Sequence, residues 1–284
     1  MNAVQNTQSV LDVIKKQAAS EKMNLPVFPG AAFELQQLLA DDNTSMDQVA
    51  KVIGKDQTLA TQVLKLANSS FFSGMNTVRT IREAIMRLGL NHVFNLVICT
   101  SQQNYYKSSN SILDKYLQAS WKHALCTAIG SKWLVQKIGY RKLSDEAFLA
   151  GLLHDIGKLL LLKAIEKVSL KEKMAPLTDS FILEALDAMH ADQGYKLMNE
   201  WSIPSVYCNV AKNHHNEDFE PGDTLLLSVR VVNKVCRKAG ISTSPAGQVD
   251  LAALPEVHAL VIKGSVLAEL QMVIEKAVNS DYGA

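Results

Sequence analysis

The sequence predicts an all-α chain built in two helical parts, and three observations carry that prediction. Apolar residues recur at three- and four-residue spacing along almost the whole chain, and no segment alternates convincingly as a strand would. Ser, Thr or Asp stands before several of the periodic runs, where a helix needs an acceptor for its first N–H groups. A polar patch, Lys107–Ser111, interrupts the periodicity and divides the chain. With 284 residues, 48% of them apolar, there is enough material for a sizeable core in each part.

The elements follow in order. Residues 8–20 form a short lead helix, and 1–24 are set apart with it. Leu25–Gly30, with two prolines, is an extended entry; Ala31–Leu39 returns to helical spacing and closes at the polar stretch Asp41–Thr44. Ser45 is placed to cap Met46–Ile53, and Asp56 to cap Gln57–Ala67. Thr80–Leu88 and Asn91–Asn104 complete a first part spanning 25–110. The second part, 111–240, holds Leu113–Ile138, Ser144–Val168, Asp179–Trp201, Pro204–His214 and Asp223–Lys238. Residues 241–284 supply a loop and a last helix near Val266–Val278.

Composition excludes several classes of function. Lys and Arg total 29 against 28 Asp and Glu, which argues against a dedicated nucleic-acid binder or a binder of acidic membranes. The four cysteines are far apart and form no C-x-x-C unit, so they read as reduced core residues of a cytoplasmic protein. No window holds ~18 uncharged apolar residues, and the first 20 residues lack the apolar run of a signal peptide, so no membrane partner is expected. Ser45–Ala67 has helix-turn-helix spacing, but Gln57–Ala67 offers only Gln57, Thr58, Thr61, Gln62 and Lys65 to a duplex; DNA binding ranks below the other readings.

The informative feature is His154-Asp155 within AFLAGLLHDIGKLLLL, read as a continuous helix from Ser144, whose hydroxyl is expected to cap it. A charged pair in such surroundings is costly unless it is paired or binds an ion. Gly151 and Gly157 each weaken the helix by roughly 1 kcal/mol relative to Ala, and such glycines usually mark a close backbone approach. His190 shares a stripe with Leu183, Leu186, Gly194 and Leu197, His214 with Ile203, Tyr207 and Val210, and His215 follows it. His123 lies mid-helix, and Asn233 shares a face with Leu226, Val229 and Cys236. One such histidine alone is a core residue satisfied by a backbone carbonyl. Imidazoles and a carboxylate converging from separate helices suit one or two ions of Fe, Mn, Zn or Ni, and a metal there acts on water near neutral pH. His92 and His258 lack companions.

His154-Asp155-Ile156-Gly157-Lys158 resembles the signature of the HD superfamily of metal-dependent phosphohydrolases. That resemblance implies His123 as first ligand, His154 and Asp155 as the central doublet with Asp155 bridging two ions, and His190, His214 and His215 as the extra histidines of the branch that hydrolyses cyclic di-GMP. Lys158 matches that branch's phosphate-contacting lysine, so Asp155 and Lys158 are the catalytic candidates. The stretch LPVFPGAAFELQQLLADDNTSMDQVAKVIGKDQTLATQVLKLANSSFF, with TIREAIMRLG after it, is similar to the HDOD family, a bacterial HD-related output domain. The resemblance runs from about Leu25 to Arg237 and implies an N-terminal helical subdomain packed on an HD-like bundle. Two departures bear on activity: the superfamily's final aspartate aligns with Asn233, a weaker ligand, and His214–Asp223 contains no Gly-Tyr-Pro. The resemblance therefore implies a non-catalytic signalling module, binding a partner protein, a nucleotide or a cyclic dinucleotide around a partly retained metal site. A metal-dependent phosphohydrolase is the alternative.

Overall fold

A computed structural model describes residues 12–20, 34, 35, 38, 43–68, 76–103, 105–171, 177–244 and 248–278. Every α-helix or strand assigned among them is a helix, and none is long and apolar enough to cross a membrane. The chain separates into two compact units, Pro26–Tyr105, and Met1–Leu25 together with Tyr106–Ala284. Helix α1 (residues 12–20) belongs to the latter and buries Ile14 and Ala18. The expected Ala31–Leu39 helix lies mostly outside the described residues; 34, 35 and 38 are helical.

In the smaller unit the capping residues read from the sequence do what they were expected to do. Ser45 closes a capping box at the head of α2 (Met46–Gly54): its Oγ accepts from the Gln48 N–H, and Gln48 Oε1 accepts from the Ser45 N–H. Asp56 Oδ1 accepts from the N–H groups of Thr58 and Leu59 at the start of α3 (Gln57–Ala67). Thr80 and Glu83 form a second capping box for α4 (Ile81–Leu88), and Gly89, at φ +82°, ends that helix before α5 (Leu90–Gln103) begins. The Asn68 side chain pairs with both backbone groups of Val78 and so closes the loop between α3 and α4.

The larger unit is organised on α6 (Ser111–Lys137), a 27-residue helix about 40 Å long that buries residues on most of its circumference. Helices α7 (Ser144–Leu153), α11 (Thr224–Lys238) and α13 (Gly264–Val278) lie against it. α8 (Ile156–Lys171) is covered by α9 (Asp179–Glu200), which meets α10 (Ser205–Asn213). The C-terminal segment, set apart in the sequence reading, contributes Leu251, Val257, Leu267, Leu270 and Ile274 to one core with Cys126, Leu134, Val232 and Val235. It contains a 3₁₀ turn, Leu251–Ala253, and α12 (Pro255–Ala259), a five-residue helix with proline at its first turn. All four cysteines are buried thiols.

Two expectations are corrected. Ser144–Val168 is not one helix: His154 and Asp155 form a two-residue junction between α7 and α8. The Lys158 N–H bonds the Asp155 carbonyl three residues back, at 2.8 Å, which tightens the chain locally into a 3₁₀-like turn. Nor does Ser144 cap with its hydroxyl. A 3₁₀ turn, Arg141–Leu143, precedes α7, and Ser144 Oγ donates back to the Arg141 carbonyl.

The two glycines flanking that junction have the close neighbours that their presence suggested. A Cβ on Gly151 would stand 2.7 Å from the Thr127 carbonyl of α6. One on Gly157 would stand 1.9 Å from the His190 carbonyl and 2.7 Å from the Gly194 nitrogen of α9. Backbone atoms cannot move aside as a side chain can, so Gly157→Ala is expected to cost at least about 2 kcal/mol of stability. Gly222→Ala, where a Cβ meets nothing within 4 Å, is expected to stay within about 0.5 kcal/mol of wild type; urea denaturation of both variants checks the contrast.

Candidate metal centre

The α7–α8 junction turns Asp155 into a fully enclosed space, 3% exposed, where four imidazoles from four helices or helix ends meet it. His123 comes from the middle of α6 and His154 from the end of α7. His190 comes from the middle of α9 and His214 from the residue after α10. The Nε2 atoms of His123 and His154 each stand 3.4 Å from Asp155 Oδ2. Those of His190 and His214 each stand 3.4 Å from Oδ1. His215, exposed on its outer side, brings its Nε2 to 3.1 Å from that of His190.

The other ring nitrogen of each buried histidine decides what those Nε2 atoms are. Nδ1 lies 2.7 Å from the Ile241 carbonyl in His123, 2.7 Å from that of Gly151 in His154, 2.6 Å from that of Leu186 in His190 and 2.8 Å from that of Ala211 in His214. A carbonyl only accepts, so all four Nδ1 atoms donate and carry the proton. In each neutral ring Nε2 is then a bare electron pair.

Electrostatics keeps the rings of His123, His154, His190 and His215 neutral. Burial, working against the attraction of Asp155, lowers His123 and His190 to about 4. Burial likewise takes His154 well below the usual histidine value, and burial with repulsion from His214 and His190 takes His215 to about 2. Burial alone would raise Asp155; interaction with the surrounding rings, His154 first, and with the Lys158 ammonium overcomes it and holds the carboxyl well below the ordinary range. The result is a cavity wall of acceptors with few donors. His123 Nε2, His154 Nε2 and Asp155 Oδ1 have no hydrogen-bond partner, and His190 and His214 point electron pairs at each other across 3.3 Å. Groups so arranged repel one another until something positive sits among them.

The donor set fits a first-row divalent ion. Two groups can each hold one, His123 with His154 and Asp155, and Asp155 with His190, His214 and His215. Separations of 3.3–3.4 Å match the edge, about 3.3 Å, of a tetrahedron with bonds of about 2.0 Å. Asp155 belongs to both groups, one oxygen towards each. Each Nδ1–carbonyl bond is of the kind that orients an imidazole for ligation. Lys158, 5% exposed, places its Nζ 2.6 Å from Asp155 Oδ2 and is the cation that the carboxylate touches.

Five of the eight residues singled out in the sequence thus surround the carboxylate of a sixth, Asp155, or touch its neighbours, and Lys158 pairs with it. Asn233 is buried in α11. The sequence reading missed the Ile241 carbonyl, which fixes the tautomer of His123; a backbone group 118 positions away leaves no residue-type signal.

Comparison with known proteins agrees with this architecture. A family model described as the HDOD domain matches residues 25–217, well over half of the chain. The chain is similar to the crystal structure of an HDOD domain protein of unknown function from Geobacter sulfurreducens, with a TM-score of 0.72 at 20% identity, covering 97% of this chain and 98% of that one. It is similar to a protein from Shewanella amazonensis SB2B provisionally described as a metal-dependent phosphohydrolase, with a TM-score of 0.75 at 18% identity over 96% and 99% of the two chains. Similarity extends to a protein from Marinobacter aquaeolei VT8 provisionally described as a signal transduction protein, with a TM-score of 0.67 at 20% identity over 94% and 64%. At these identities the structures establish a shared fold. An uncharacterised protein of Treponema pallidum (strain Nichols) is 25% identical over 227 residues; the match covers 75% of this chain and 42% of that relative's length.

Two outcomes are expected of metal-free protein kept in chelator. Lys158→Met leaves Asp155 buried beside no ammonium and is expected to cost about 3–5 kcal/mol, read from urea denaturation. Unfolded histidines take up protons near pH 6.5, whereas folded His123 and His190 do so only near 4. The unfolded chain therefore binds more protons between those values, and stability is expected to fall as pH drops from about 6.5 towards 4. A melting temperature flat across that window contradicts the assignment of neutral rings.

Proposed function

The chain belongs to the HDOD family, and from that premise we propose that it is a signal-transduction module whose Asp155 cluster holds one or two divalent ions and binds an anionic, phosphate-bearing ligand without hydrolysing it. The observation that carries this reading is the wall of electron-pair donors: four locked imidazoles whose Nε2 atoms converge on one carboxylate. The ligand class follows from charge. Neutral imidazoles and a single carboxylate leave even one divalent ion with net positive charge, so the centre attracts an anion, and a nucleotide or cyclic dinucleotide is the class of ligand that fits. An ion held there supplies Lewis-acid polarisation of a phosphate oxygen.

The residues of the chain have separate parts in this. His123 and His154 hold one position, His190, His214 and His215 the other, and Asp155 joins them. Lys158 balances Asp155 and, where an ion takes over that task, offers its ammonium to the ligand's phosphate. Absence of turnover is supported by Asn233, which stands where the superfamily's last carboxylate aligns, and by the His214–Asp223 stretch, which has no Gly-Tyr-Pro. The second reading, phosphoester hydrolysis with Asp155 and Lys158 as catalytic groups, is favoured by one observation: two ligand groups share Asp155, an arrangement suited to clamping both oxygens of an in-line displacement. The protein partner of a signalling module is sought on the surface and has no assigned site.

Elemental mass spectrometry on untagged protein, purified without chelator, is expected to find one or two equivalents of Fe, Mn, Zn or Ni in wild type and none in folded His154→Ala/Asp155→Ala. Calorimetry with nucleotides and cyclic dinucleotides is then expected to show metal-dependent binding, with no product formed by the same mixtures on a chromatography column. Product formation lost in the double variant establishes the hydrolase reading instead, and stoichiometric metal missing from wild type defeats both.

A further inference from the structure

The turn that carries His214 and His215 is gripped from a part of the chain beyond the 25–217 span of the family match. Arg230, in the middle of α11, is 5% exposed, and Glu256, in the first turn of α12, is 2% exposed. Nε of Arg230 donates to Glu256 Oε1 at 2.7 Å, and Nη2 stands 2.7 Å from the same oxygen in an ion pair. Its third nitrogen, Nη1, donates to the carbonyl of Asn213 at 3.2 Å and to that of Asn216. Those two carbonyls bracket His214 and His215. The guanidinium is also stacked on the Phe219 ring, with 4.8 Å from Cζ to the centroid.

A pair this deeply buried is a poor source of stability, since apolar residues of similar volume commonly do as well or better. What it does supply is a rigid fork. The last carbonyls of a helix lack intrahelical partners, and here one nitrogen ties the carbonyl that ends α10 to one two residues past His214. The His214 ring is fixed at Ala211 on the inner side; the backbone that carries it is fixed by Arg230 on the outer side. Glu256 sets the direction of the fork, and Val257 anchors α12 in the main core.

We propose that Arg230 and Glu256 are positioning residues that hold the His214–His215 turn in ligating register, making α11 and α12 part of the metal centre. This rests on the reading of the cluster as a metal site, and its test is arranged to separate the two. The informative variant is Arg230→Met/Glu256→Met, which removes both charges and keeps volume, so that it is expected to fold with a cooperative melt. Arg230→Lys, which keeps a charge beside Glu256 but cannot span both carbonyls, guards against misfolding of the first.

Two measurements apply to each variant: Zn²⁺ affinity by competition with a chelator, and hydrogen exchange of the amides from 211 to 217. The expected result is a loss of about 10–100-fold in Zn²⁺ affinity, as for other outer supports of ligating histidines. Exchange is expected to be faster at 211–217 and unchanged at the His154–Asp155 junction. Folded variants that keep wild-type affinity and wild-type exchange overturn the proposal. If wild type binds no Zn²⁺, the metal reading fails, and exchange alone decides whether the pair positions the turn: faster at 211–217 supports it, unchanged refutes it.

Discussion

One buried carboxylate sets the terms for the larger unit. Asp155 is almost wholly withdrawn from water and faces electron pairs on both of its oxygens. A group in that position is costly by several kcal/mol unless cations or donors answer it. Lys158 answers on one oxygen; the other has no hydrogen-bond partner. The surrounding structure serves that arrangement: the short junction that turns Asp155 inward, the glycines that let α6 and α9 close over it, and the carbonyls that keep protons off the Nε2 atoms. Each is a modest feature by itself. Together they make an interior whose donor set suits a positive occupant.

The same economy explains why helix ends matter so much here. His154 and His214 each occupy the residue just after a helix, and each ring returns its Nδ1–H to a carbonyl of the turn it has left, Gly151 and Ala211. Carbonyls that would otherwise lack partners at a C-terminus become the supports that orient an imidazole. His190, within α9, uses the Leu186 carbonyl four residues back in the same way. Local backbone thus prepares three of the four rings, and tertiary packing is needed chiefly to bring them together.

Much of this was legible in the sequence. Periodicity marks the helices, Ser45 and Asp56 mark two starts, and the two glycines around His154 point to close backbone contact. The all-helical class and the HDOD relationship are established, and the singled-out histidines meet around Asp155. What escaped has physical reasons. The junction at His154–Asp155 was hidden because apolar residues continue on both sides of it, so composition shows no seam; the break lies in which carbonyl the Lys158 N–H chooses. Ser144 is the right residue type in the right place, yet its hydroxyl serves the preceding 3₁₀ turn. Arg230 carried the same kind of signal as His154, a polar residue in an apolar run, but its partners are Glu256 and two peptide carbonyls, and no spacing rule finds those.

The hydrogen bond from His123 to Ile241 joins residues 118 apart, and it gives the centre a place in time as well as in space. A ribosome that has released the chain through Glu217 has already delivered every ring of the cluster. His123 nonetheless lacks the carbonyl that fixes its proton on Nδ1 until residue 241 has emerged, and closing a loop of that length is an entropic cost met by the core that the C-terminal helices complete. Until then His123 is an ordinary, exchangeable base, while His154, His190 and His214 have carbonyls of their own turns within reach. The four rings become a matched set only once the segment around Ile241 is in place, so a stretch that supplies no ligating side chain decides when the site comes into being.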